Sequence, residues 1–267
     1  MLKITLIFSL LFSASMAFSQ DPSTTLKLVD SKIYSLKNKG IKDFSVDISS
    51  SKLTQQINSI GTFGQVKELY FRVYWTLAPE KVDIEVFGLP EGFKEVKEEL
   101  KLSVVNLLDN ILPLPLEKRF AGYAFSASGP GSIAAKDTTG IAEIPNLTIK
   151  IDQQLRITEI QGIKPVGSVI ITPVYEKDSF SDGRWVLKKQ ITKTSENGQE
   201  INSVRTLAYA PFDGISAVRS VSVETEQRFV GRADSKPVSF SETIEFKNYK
   251  INNGAAAKHF LKDVSVP

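Results

Sequence analysis

The chain has 267 residues, of which 42% are hydrophobic and 24% charged, and its formal charge is +3. This composition excludes a disordered chain, and so small and dispersed a charge gives no basis for nucleic-acid binding. With no cysteine and a single histidine, His259, there is no disulfide, no thiol nucleophile, and no thiolate or multi-histidine metal site to build, and no cofactor is implied.

Residues 1–19 read as a signal peptide. Lys3 supplies the positive start, Ile4 to Phe12 the apolar run, and Ser15-Met16-Ala17 or Ala17-Phe18-Ser19 the small-x-small site, with cleavage expected after Ser19. The apolar run is well short of the roughly 20 residues of a spanning helix, and no cysteine stands at the cleavage site to carry a lipid. The expected mature chain, 20–267, is therefore a soluble periplasmic protein of one domain.

A short helix follows, capped by Ser23 or Thr24, with Leu26, Val29, Ile33 and Leu36 on one stripe and Lys39-Gly40 closing it. The period then changes to two: Phe44, Val46 and Ile48 predict a first strand. The stretch from Lys52 to Phe63 fits no single pattern, being weakly helical or looped. From Val66 to Trp75, Leu69, Phe71, Val73 and Trp75 share one face, and Tyr70, Arg72 and Tyr74 share the other, so both faces need cover. After Ala78-Pro79-Glu80 turns the chain, Val82, Ile84 and Val86 form the matching strand.

Glu91 to Leu112 is the one long amphipathic helical pattern. Phe93, Val96, Leu100, Val104, Leu107, Leu108 and Ile111 recur at three and four, opposite a charged face, between Pro90 and Pro113. A single such helix between strands is expected to lie on a sheet as a cover. Beyond it, strands are expected at Phe120 to Ala127, Ile141 to Ile144, Leu147 to Ile157 (one strand, or two broken near Asp152), Ser168 to Tyr175, Arg184 to Thr192, Ser203 to Ala210, Val218 to Val230 and Val238 to Ile251. Asp182-Gly183, Asn197-Gly198 and Asp213-Gly214 are turn signals between them. The expected architecture is mostly β with a helical cover: an antiparallel sheet of about ten strands, closed into a barrel or curled into an open half-barrel.

The leader, the short first helix, the hairpin Gly64-x-Val66-x-x-Leu69-Tyr70-Phe71-Arg72 with Pro79 at its turn, and the cover helix together resemble the periplasmic lipoprotein carriers of the LolA type. The final stretch from Ile244 to Gly254, followed by Phe260, is similar to that family's last strands. The resemblance implies an unclosed half-barrel lidded by helices that shields lipoprotein acyl chains or lipids on the way to the outer membrane, with partner proteins at the inner and outer membranes. It also implies that Arg72, the basic residue of the second strand, bonds to the lid, although Val73 follows it where the family usually has proline.

The expected ligand trough is Phe44, Leu69, Phe71, Trp75, Val86, Phe240 and Phe246, and the expected lid face is Val96, Leu100, Val104 and Leu107 with Arg72. Such a surface suits acyl chains, whose burial is worth about 0.8 kcal/mol per methylene. An alternative is a sensor module that regulates a partner protein, as RseB-type proteins do on a related fold. Enzymatic activity is not expected: His259 has no partner for a triad, and Asp178 with Asp182 or Glu224 with Glu226 read as solvated charges rather than paired catalytic acids.

Overall fold

The computed structural model describes residues 21–61, 64–230 and 236–262; the expected leader lies outside them. Helix α1 (Pro22–Lys32) starts where the Asp21 carboxylate accepts the Thr24 N–H at 3.1 Å, with Pro22 preset for the first turn. The cap is therefore Asp21 and not Ser23 or Thr24. The helix ends before Ile33, and the chain continues as an extended strap in which the Tyr34 N–H donates to the Trp185 carbonyl at 2.8 Å.

Strand β1 (Asp43–Ser50) runs directly into helix α2 (Ser51–Ile60), which resolves the ambiguous stretch. Ser50 caps α2 by accepting the Leu53 N–H, and Gly61 ends it in the left-handed conformation at φ 73°. Strands β2 (Tyr70–Leu77) and β3 (Glu80–Phe87) form the expected hairpin, and helix α3 (Lys94–Leu108) is the expected cover. A single-turn helix α4 (Leu116–Arg119) follows. The remaining strands are β4 (Tyr123–Gly129), β5 (Ser132–Asp137), β6 (Asn146–Ile151), β7 (Ile157–Lys164), β8 (Gly167–Lys177), β9 (Trp185–Glu196), β10 (Gln199–Phe212), β11 (Ile215–Phe229) and β12 (Val238–Ile251), before helix α5 (Ala255–Lys262).

All the strands form one open antiparallel sheet in the order β3-β2-β1-β12-β11-β10-β9-β8-β7-β6-β5-β4, twelve strands where about ten were expected. The sequence pattern missed β5, where Ser132, Ala134 and Ala135 are too small to mark a period, and nearly all of β7, because the expected strand ended at Ile157, where β7 begins. Ile141 to Ile144, expected as a strand, is a loop whose Ile141 side chain is 88% exposed. β6 and β7 are separate, broken at Asp152, whose carboxylate accepts the Gln154 and Arg156 N–H groups. Asn197-Gly198 and Asp213-Gly214 turn with φ positive at both residues, as tight hairpins require.

The order of the strands explains the cover. β3 and β4 are consecutive in sequence but lie at opposite edges of the sheet, so the intervening chain must cross a face, and it carries α3 and α4 across. Two clusters fill that face. One packs the inner side chains of β1, β2, β3 and β12 against α2 and α3; the other packs Leu26 and Val29 of α1 and Leu116 of α4 against β5, β6 and β7. On the opposite face α5 lies along β1 and β2, where His259 stacks on Tyr74 at 3.8 Å between ring centres and pairs with Asp83 at 2.7 Å.

Candidate functional site

The structure brings most of the expected trough together, as solid core. Phe44, Leu69, Phe71, Trp75, Val86 and Phe246 are all buried in the first cluster, with Val104 buried and Val96, Leu100 and Leu107 partly buried on the α3 face against them. Phe44 and Trp75 have ring centres 5.4 Å apart. None of these residues borders the apolar cavity that lies farther along the sheet, over β7 to β11. Phe240 departs from the group: it is 47% exposed near the start of β12, with the Lys52 ammonium 5.5 Å above its ring. Alternation assigned its face correctly but does not reveal how far along a long strand the cover reaches.

Arg72 does not bond to the lid. It lies on the opposite face from α3, where Nε and Nη2 donate to the two Asp47 oxygens at 2.6 and 2.8 Å, and Asn248 donates to the same carboxylate at 2.9 Å. Asp47 is buried, so this fork serves to satisfy a carboxylate inside the sheet–α5 face.

The cavity lies between the two clusters and has a volume of about 160 Å³. Its floor is aliphatic side chains from β7 to β11, among them Ile160, Ile171, Leu187, Leu207 and Val218. Its roof is irregular chain: the strap from Ile33 to Leu36 after α1, and the segment from Asp109 to Leu116 between α3 and α4.

Few polar ties hold the roof. Arg119 Nη2 donates to both Asp109 oxygens at 2.6 and 2.7 Å, and Asp109 also accepts the Leu114 N–H at 3.2 Å. Asp30 accepts the Leu116 N–H at 2.8 Å. Burial raises the Asp30 carboxyl above its ordinary value, opposed by that hydrogen bond and by Arg119. Tyr34 crosses the cavity to donate to the Ser216 carbonyl, and Tyr209 donates to the Leu187 carbonyl at 3.1 Å.

Burial pushes the Tyr34 and Tyr175 phenols up to about 12, with Asp182 adding at Tyr34, and raises Tyr209 further. These hydroxyls stay protonated, and those of Tyr34 and Tyr209 serve as hydrogen-bond donors rather than bases. The two carboxylates of the wall are both engaged, and no group of three or more metal-ligating side chains occurs among the described residues. The arrangement is suited to holding an apolar guest with a few polar contacts. The floor strands β8 to β11 were visible in the sequence, whereas β7 beyond Ile157 was not, and neither was the roof, because an irregular segment carries no period.

Comparison with protein-family models, with curated proteins and with solved structures returned no match to this chain.

Proposed function

We propose that the protein is an exported, soluble periplasmic carrier that takes the acyl chain of a lipid or acylated lipoprotein beneath the roof of an open half-barrel and delivers it toward the outer membrane. The observation that carries this reading is the cavity: an aliphatic floor on an unclosed sheet, covered by irregular chain that is tied by a handful of polar contacts.

Its size sets the mechanism. A cavity of about 150 Å³ holds benzene, so 160 Å³ takes roughly six carbons. At about 0.8 kcal/mol per methylene that is about 5 kcal/mol, a dissociation constant near 0.2 mM. A longer acyl chain enters only if the roof lifts, so loading and release are coupled to movement of the 109–116 segment while α3 stays packed on the first cluster. Native mass spectrometry of the chain from Gln20 onward, purified from a bacterial periplasm and followed by organic extraction, tests the proposal. A mass excess that extracts as lipid or acylated peptide supports it; a clean mass together with no uptake of a fluorescent fatty acid counts against it.

The sensor reading draws on a different observation. α3 turns Leu102, 72% exposed, and Val105 outward, an apolar pair suited to a partner protein. Donor and acceptor proteins at the two membranes would need such a surface as well.

A further inference from the structure

We infer that the guest of this cavity is an acidic amphiphile whose carboxylate or phosphate is held by Arg205. The inference rests on the carrier reading and names the ligand class. The cavity wall has two cations, Arg119 and Arg205. Arg119 is spent on Asp109, whereas Arg205, half-buried in the middle of β10, makes no hydrogen bond or ion pair with any described residue.

Its cross-strand neighbours on the same face are Gln190 of β9 and Val223 of β11, neither of them an acid. Charged groups drawn partly out of water are normally paired, because desolvation without a counter-charge is unfavourable. A guanidinium with its planar fork free, set at one end of an aliphatic floor, is complementary to a carboxylate or phosphate.

The rest of the cavity supplies the tail site. From Arg205 the same face of β10 continues through Leu207 to Tyr209, about 13 Å at roughly 3.3 Å per residue. Leu187 and Ile171 widen that path on β9 and β8. Tyr209 bonds to the Leu187 carbonyl at the far end, so the strongest unmet polar demand lies at the Arg205 end. The wall's carboxylates belong to the roof: Asp109 is held by Arg119 and Asp30 by the Leu116 N–H, and neither forms an ion pair with Arg205. The bound amphiphile therefore lies along β10, head on Arg205 and tail toward the tyrosines.

The test is titration calorimetry of the whole mature chain with oleate, oleyl phosphate and oleyl alcohol, which share a tail and differ in head. Inorganic phosphate and acetate serve as head-only controls. The expected result is that oleate or oleyl phosphate binds at least tenfold tighter than the alcohol, and whichever is preferred identifies the head. In R205Q that ratio falls to about twofold or less. Q190E, nearly isosteric and placing a carboxylate beside Arg205 in register, collapses the ratio in the same way and covers the case in which R205Q fails to fold. An alcohol that binds as tightly as the acids in the wild type, or a ratio that survives in R205Q and Q190E, overturns the anchor while leaving the carrier reading intact. Binding of phosphate or acetate as tightly as the full amphiphiles overturns the tail site. Binding of none of the three oleyl compounds removes the carrier reading itself, and the inference with it.

Discussion

Asp109 and Arg119, ten residues apart in sequence, are joined by two hydrogen bonds of 2.6 and 2.7 Å that span the roof of the cavity. Both side chains are more than a third exposed, so their pairing contributes at most about 1 kcal/mol to global stability. Its effect is local, because it is the main tie holding irregular chain over an apolar floor.

Removing that tie separates stability from uptake. D109A and R119A are expected to lower the melting temperature by no more than about 4 °C, while hydrogen exchange over 109–116 rises and fatty-acid uptake becomes faster. Unchanged exchange in this segment would show that the roof is held by something other than the pair.

Filling the cavity and hollowing the core give opposite results. I171F and L187F add volume over the floor, where both side chains are half-buried, and are expected to reduce uptake of a fluorescent fatty acid at least tenfold with little change in melting temperature. F71A, in the solid cluster under α3, is expected to cost about 3–5 kcal/mol in chemical denaturation, yet the protein that remains folded still takes up ligand.

The acid range carries two contributions of opposite sign. The Thr139 hydroxyl, followed by the Thr139, Ala142 and Gly140 N–H groups, holds the Asp137 carboxyl down at about 2. Its folded value is depressed, so its contribution is present above the ordinary 3.8 and is lost as pH falls through about 2. Asp30 is raised, mainly by burial, so its contribution is present below 3.8 and is lost as pH rises through its higher folded value. Melting temperature followed from pH 7 to pH 2 is expected to fall less steeply at the acid end in D137N than in the wild type. D30N is expected to gain relative to the wild type as pH rises. Parallel curves for all three proteins would contradict both assignments.

Arg72 is a structural residue of the far face. R72A leaves the buried Asp47 carboxylate with only the Asn248 amide among its described side-chain donors, and is expected to cost about 3 kcal/mol. Ligand affinity in the folded fraction is expected to stay within twofold of the wild type; a larger loss would return Arg72 to the binding site.

Much of the sheet was legible because alternation is a strong signal where one face is buried. Phe44, Val46 and Ile48 of β1, Leu69 just before β2, and Phe71, Val73 and Trp75 of β2 all face the core as their parity predicts, and the α3 stripe lies where its period places it. Parity also separated Arg72 from Leu69 and Phe71; the family resemblance pulled it toward the lid, and the alternation was the better guide. The binding region was less legible for a physical reason. Its roof from Asp109 to Leu116 is irregular chain, and the unpaired state of Arg205 is a property of its neighbours on β9 and β11, which only strand register reveals. α2 was hidden because its cap, Ser50, is also the last residue of β1.

The most direct test of the account is photolabelling of the mature chain by a fatty acid with a diazirine in its tail, with the labelled peptides mapped by mass spectrometry. The account predicts labels on Ile171, Leu187, Leu207 or Ile111, around the cavity beneath the roof. Labels concentrated on Phe71 or Val86 under α3, or on Leu100 of α3 itself, or no labelling beyond that of the denatured chain, would contradict it.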